Sequence, residues 1–358
     1  MKSILAIDIG AGTMDILYYE LESGTHYKAV AQSPVLSLAS ALEKVPGPIL
    51  VTGVEMGGGA VAKVLSQRAR KSQVLMSVSS AATVHHNLDR VRSMGIQVVG
   101  DEEAEDLREG AKYRHIELGD IQFDRLEALV RALGVPFSFH VIGICAQDHG
   151  RPPEGISHLD YRHRMFKERL DHAPYPHHLL YRSDEVPQTF NRLNSIALRA
   201  RSLPAEEVYV MDSGMAAILG ASMDPRLQGK DKALVLDVAT SHTLGASVLG
   251  GEIAGFFEYH TSDITPEKIE DLLVKLCNGQ LTHSQILDEG GHGAYIRRPI
   301  GFADLETIVA TGPKRGILRG TSLPVHLGAP LGDNMMTGAV GLLEAIRRRK
   351  GGDPITYE

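Results

Sequence analysis

A strand that ends in aspartate, a short polar turn and a returning strand form a unit that occurs twice in this 358-residue chain. The first copy is Asp8-Ile9-Gly10-Ala11-Gly12-Thr13-Met14-Asp15, between apolar runs at residues 4–9 and 16–19. The second is Leu236-Asp237-Val238-Ala239-Thr240-Ser241-His242-Thr243-Leu244-Gly245, between runs at 234–237 and 243–249. Because each turn joins two strands, it differs from the Rossmann fingerprint and the Walker loop, which both lead from a strand into a helix. Gly10 and Gly12 let backbone N–H groups approach an anion, Thr13 offers a hydroxyl, and Asp8 at a strand end can hold hydrated magnesium. A tight turn with a capping aspartate uses the same residue types. The second copy tips the balance toward a clamp, two hairpins gripping one polyphosphate from both sides. The chain is also longer than one hydrophobic core usually fills, which agrees with a doubled architecture.

Between and around the hairpins, short apolar runs at 48–52, 74–78, 96–99 and 137–146 read as strands, with helices at about 82–94 and 123–133. Alternation of this kind predicts parallel pairing with both faces covered. The acidic stretch 101–109 reads as a solvated helix face. Residues 150–187 break the pattern with Pro152, Pro153, Pro174, Pro176 and Pro187, an excursion that admits no helix longer than 161–170. Order returns with a helix at 188–201, a strand at 208–211 and a small-residue helix at 215–221. Gly250-Gly251 is a hairpin turn into a strand at 253–259. Thr265 caps a helix that has Pro266 at its first position and Asn278-Gly279 at its close. A buried strand at 308–311 ends in Gly312-Pro313, and a final helix spans 333–349 with basic residues in its last turn, where the helix dipole favours them.

Composition excludes several classes. Hydrophobic residues make up 43% and charged residues 23%, ordinary proportions for a folding chain. A net charge of −7 offers no general attraction to nucleic acid or to anionic lipid. The two cysteines, Cys145 and Cys277, support neither a disulfide framework nor a clustered thiolate site. The N-terminal stretch reaches Asp8 after too few apolar residues for a signal sequence, and no later run is long enough to span a bilayer. The expected location is the cytoplasm.

In sequence order the chain carries a phosphate hairpin, the small-residue helix Ser213-Gly214-Met215-Ala216-Ala217-Ile218-Leu219-Gly220, a second hairpin, the turn Thr311-Gly312-Pro313-Lys314-Arg315, and Asn334-Met335-Met336-Thr337-Gly338-Ala339-Val340-Gly341. That order resembles the actin, Hsp70 and sugar-kinase ATPase superfamily over most of the chain. The resemblance implies an α/β fold of two related actin-like (ribonuclease H-like) domains around a nucleotide cleft. It places the first domain at 1–200, the second at 201–333, and a C-terminal helix, 334–358, packing back across the hinge. It also implies ATP and Mg2+ as cofactors. Phosphate would be held by Asp8, Gly10, Gly12 and Thr13 and by Asp237, Thr240 and Ser241, with metal on Asp8 and Asp237 and adenosine near Gly312. The second hairpin departs from the pattern, with Ala239 where glycine is usual and bulky His242 in its turn. A closer resemblance is to an actin-like family sometimes labelled pyruvate formate-lyase activating enzyme. Such activators need three closely spaced cysteines for an iron–sulfur cluster, whereas this chain has two, 132 positions apart.

Further side chains are candidates for chemistry. Asp148 and His149 follow a strongly apolar strand, at the sheet edge where ligands bind in open α/β folds. Asp148 or Asp212 can orient a nucleophile, and His149 can share general-base work. Met211-Asp212-Ser213-Gly214 imitates a phosphate turn but leads into helix. Histidines and arginines crowd residues 140–182, a candidate contact for a small anionic substrate, a protein partner or a metal. The loop 289–294, carrying His292, is a candidate lid, and 51–59 is a second glycine-rich ligand contact with Glu55 as its polar group. The expected activity is that of an ATPase or ATP-dependent phosphotransferase. Two alternatives remain: a nucleotide-binding switch with little turnover, and a cleft whose histidines take a metal or an anionic metabolite without nucleotide.

Overall fold

The computed structural model describes residues 2–358. Strands β1 (Ser3–Ile9), β2 (Thr13–Glu20) and β3 (His26–Gln32) form an antiparallel meander. Helix α1 (Pro34–Lys44) follows, with Ser33 accepting from Val35 N at its start and Pro34 at its first position. A smaller unit comes next: β4 (Ile49–Gly53), α2 (Gly59–Ala69), β5 (Val74–Ser77), α3 (Val78–Ala81), α4 (Leu88–Ser93), β6 (Gln97–Val99), α5 (Asp101–Arg108) and β7 (Arg114–Leu118). The chain then returns through α6 (Phe123–Ala132) to β8 (Phe139–Ala146), α7 (His158–His172), β9 (Leu180–Arg182), α8 (Asn191–Ala200), β10 (Ala205–Asp212) and α9 (Ser213–Ala221). Its last third holds β11 (Lys232–Val238), β12 (His242–Leu249), β13 (Glu252–His260), α10 (Pro266–Cys277), α11 (His283–Asp288), β14 (Gly293–Ile296), β15 (Thr307–Thr311), β16 (Val325–Leu327) and α12 (Thr337–Lys350).

Two six-stranded sheets share a five-stranded topology, with the sixth strand, β9 or β14, added at opposite edges. The first has the order β3-β2-β1-β8-β10-β9 and the second β14-β13-β12-β11-β15-β16. In each, an antiparallel meander is extended by two parallel strands, β8 beside β1 and then β10 in one case, β15 beside β11 and then β16 in the other. This duplication is the two-part actin-like architecture that the sequence led us to expect. Between the sheets, α9 and α12 cross at glycines. A Cβ on Gly220 would collide with the backbone of Thr337, and one on Gly341 with the backbone of Ala216, so only glycine permits the approach. Gly338 is equally constrained, because a Cβ there would strike the Asp8 carboxylate.

The runs near 48–52, 74–78 and 96–99 are strands paired in parallel, as their alternation with helices predicts, and they build a sheet of their own, of order β6-β5-β4-β7. Apolar content marks a strand without naming its partner, and β8 already occupies the place beside β1. Several elements depart from expectation. A single helix at 82–94 is replaced by α3 and α4, because Asn87 caps a new helix by accepting from Asp89 N and Arg90 N. The excursion contains a longer helix than foreseen: α7 begins at a Ser157 cap and runs for 15 residues. Strand β3 has no apolar run to mark it in the sequence, because it lies half-exposed at the sheet edge. No helix of the described residues is long and apolar enough to cross a membrane.

Candidate functional site

The carboxyl ends of the parallel strands converge on one cleft. Register places Asp8 of β1 beside Cys145 of β8, and Asp212 of β10 beside Ala146, with Asp148 two residues further on. From the other sheet, β11 delivers Asp237 to the same cleft. The resulting cavity, of about 560 Å³, is lined by Asp8, Asp148, Asp237, both hairpin turns and the loops 55–59 and 82–86.

Its floor is unusually acidic. Asp8 faces Asp15 directly across the first hairpin, an arrangement of like charges that costs stability unless something neutralises it. Burial pushes the Asp8 carboxyl up to about 6 and that of Asp237 to about 7, while burial and the neighbouring Asp8 push Asp15 up to about 8. Asp15 Oδ1 is buried without a hydrogen-bond partner. Three buried carboxylates, one with an orphaned oxygen, form a donor set suited to a hard divalent cation such as magnesium.

Asp148 and His149 lie at the cavity edge as expected. Asp148 is 2% exposed and accepts hydrogen bonds from Gly150 N at 2.8 Å and Leu193 N at 2.9 Å. Burial nevertheless dominates and raises its carboxyl to about 6. Burial, reinforced by the Arg162 charge, pushes His149 down to about 3, so its ring is neutral at physiological pH. Arg192, which also lines the cavity, is held by a bidentate pair with Asp120, both bonds 2.8 Å, and by Gln147 O at 3.0 Å.

The walls are rich in imidazole. On one side, His86 Nε2 lies 2.8 Å from Glu55 Oε1, and the rings of His85 and His86 lie 6.3 and 5.5 Å from that of His158. On the other are His242, His260 and His292, all lining the cavity. Behind them burial pushes the Glu258 carboxyl up, but Arg162, His292 and His242 more than reverse this and hold it well below the usual carboxylate range.

The residues named from sequence divide into two groups. Asp8, Gly10, Asp148, His149, Asp237 and Ser241 line the cavity. Gly12 and Thr240 instead meet one another, a Cβ on Gly12 falling 3.5 Å from Thr240 Cγ2, so the hairpin tips close on each other. The Gly10 N–H is taken up in closing its own turn on Thr13 O at 3.0 Å, and Thr13 Oγ1 donates to Asp15 at 3.4 Å. Gly312, at φ +88°, packs directly against Asp237 and Val238. Asp212 is 1% exposed; it caps α9 through Gly214 N at 2.9 Å and pairs with Arg162 at 2.6 Å. Asp15, Glu258 and His260 were not singled out. Asp15 had a legible signal, since a two-strand hairpin with symmetric register sets it opposite Asp8. The cysteines lie apart: Cys145 is the register partner of Asp8 on β8, while Cys277 lies in the core of the second sheet. Burial pushes both thiols up, Cys277 to about 12.

Residues 56–317 match the model of the family described as "Putative pyruvate format-lyase activating enzyme (DUF1786)". The chain belongs to that family. No curated protein matches it. Among solved structures, the ethanolamine utilization protein EutJ from Carboxydothermus hydrogenoformans is 11% identical at a TM-score of 0.35, covering 96% of this chain and 90% of that one. A Bacteroides thetaiotaomicron protein with an actin-like ATPase fold is 8% identical at a TM-score of 0.36, covering 96% and 95% respectively.

Proposed function

We propose that the cleft binds magnesium–ATP and transfers its terminal phosphoryl group to water or to a small acceptor. The observation that carries this is the convergence of Asp8 and Asp237 on the cavity, each from the same hairpin used twice, with buried Asp15 paired across from Asp8. Asp8 and Asp237, with Asp15 beside them, would hold the metal, which when bound offsets phosphate charge. The rest falls to the chain's own groups. The two hairpins approach from opposite sheets and exclude water where their tips meet. Asp148, at the cavity edge, accepts a proton from the attacking hydroxyl, and Arg192 adds positive charge to the same wall. His149, held neutral, serves as a hydrogen-bonding group.

Cysteine-held cluster chemistry, which the family's description would call for, has little support in this chain. Its two thiols are buried in different surroundings, and both resist the deprotonation that ligation requires.

Calorimetric titration of metal-stripped protein with ATP, with and without magnesium, tests the proposal. Binding is expected only with magnesium, and Asp8→Ala should abolish it without loss of folded structure by circular dichroism. Unchanged affinity in that variant would overturn the assignment. Binding of an anionic metabolite but no nucleotide would favour the alternative in which the imidazole walls form the recognition surface.

A further inference from the structure

The three histidines on the second wall have an arrangement of their own. His242 opens β12 and His260 closes β13, and the two are cross-strand partners. His292 immediately precedes β14, the next strand over, and its N–H is fixed on Glu258 O at 2.8 Å. Three adjacent strands therefore present one imidazole each at the same sheet end. One ring nitrogen from each lies within 4.8 Å of the other two. His260 Nε2 and His292 Nε2 are 3.0 Å apart, and His242 Nε2 is buried with no hydrogen-bond partner.

What stands behind the rings matters as much. Ser241 Oγ lies 3.0 Å from His242 Nδ1, which leaves Nε2 as the nitrogen turned to the cluster. Glu258 Oε1 lies 3.4 Å from His292 Nδ1, close enough to pair electrostatically, although the two are not aligned as a hydrogen bond. The carboxylate is itself anchored by Arg162, at 3.4 Å, and by Gln147. A carboxylate behind a histidine whose outer nitrogen faces a common point is the supporting shell of metal-bound imidazoles. Nitrogens bound at about 2.1 Å to a four-coordinate ion sit about 3.4 Å from one another. His260 is exposed at the end of β13, where no packing holds its ring from closing the remaining gap.

We infer that His242, His260 and His292 form a site for a d-block divalent cation of the zinc, cobalt or iron(II) class, with an open coordination position facing the cleft. Three imidazoles select such ions over magnesium or calcium, which take oxygen donors. Three protein ligands with a vacant position are the pattern of a site that binds substrate or water, not of a closed structural one. The site is distinct from the carboxylate floor and does not depend on nucleotide.

Titration of metal-stripped protein with Co(II), followed by visible absorption, tests this. The expected result is one equivalent bound with the intense ligand-field bands of four- or five-coordinate cobalt, displaced by Zn(II). His260→Ala, at the exposed rim, should weaken binding by roughly 100-fold, and Ser241→Ala by roughly 10-fold. Asp8→Asn should leave the cobalt spectrum unchanged, which separates this site from the proposed nucleotide-metal floor. Absence of binding, binding with only the weak bands of six-coordinate cobalt, or affinity undiminished in both His260→Ala and His242→Ala would overturn the inference.

Discussion

Asp8 and Asp15 confront each other across the β1–β2 hairpin, and the second hairpin sets Leu244, not a carboxylate, opposite Asp237. The acidic floor is thus asymmetric, two carboxylates from one hairpin and one from the other. Asp148 differs from these three because its oxygens are satisfied by backbone N–H groups, yet burial still holds it near 6. As a general base it works only when ionised, so activity should rise as pH passes upward through about 6. The acid limb should vanish in Asp148→Asn, with kcat reduced about 10²–10⁴-fold. A rate profile flat through that region would place the base elsewhere.

At the scale of elements, the α9–α12 crossing governs how the halves meet. Gly220 and Gly341 bring backbone against backbone, and no side-chain rotamer can relieve a clash there. Gly341→Ala should therefore destabilise the protein by about 3 kcal/mol, read as a lowered urea midpoint. A shift below about 0.5 kcal/mol would mean that the helices can part without loss. The C-terminal turn of α12 is fastened separately. Glu344 accepts from Arg347 at 2.6 Å and 2.8 Å, from Arg348 at 2.6 Å, and from the Tyr357 hydroxyl at 2.8 Å. Burial raises the Glu344 carboxyl, and these donors more than reverse that, so its folded-state value is depressed. Its contribution is present above the ordinary glutamate range and fades as pH falls through the lowered value. In Glu344→Gln that acid-side dependence should be lost, together with about 2 kcal/mol at neutral pH, measured by urea unfolding across pH.

For the molecule as a whole, the proline- and histidine-rich excursion serves as a bridge. Helix α7 places Arg162 between Asp212 of the first sheet and Glu258 of the second, all three buried. The same helix meets the second sheet again through Tyr295, whose hydroxyl donates to Asp171 at 2.8 Å, and meets α11 through His283, 3.1 Å from Asp160. Removing the guanidinium leaves two carboxylates uncompensated, so Arg162→Met should cost about 3–5 kcal/mol in equilibrium unfolding. Loss of less than about 1 kcal/mol would show that the halves do not depend on this link.

Local chemistry made much of this legible in the chain. Strand–aspartate–turn–strand units, caps such as Thr265, and the glycine-rich crossing helices are short-range patterns, and they marked both hairpins, the helix crossing and the aspartates at 8, 148 and 237 that line the cavity. Pairing partners were not legible, because apolar runs at β4, β5 and β6 look the same whether they join the first sheet or build another. The imidazole wall shows the reason most clearly. Counting back from Gly250-Gly251 would set Tyr259 opposite His242, but a bulge between Ser247 and Val248 shifts the register by one residue and brings His260 there instead. Residues at 242, 260 and 292 become neighbours only through that bulge and the addition of β14 to the sheet edge. Their proximity is a property of long-range register, which hydrogen bonds between strands set and which no local pattern in the chain records.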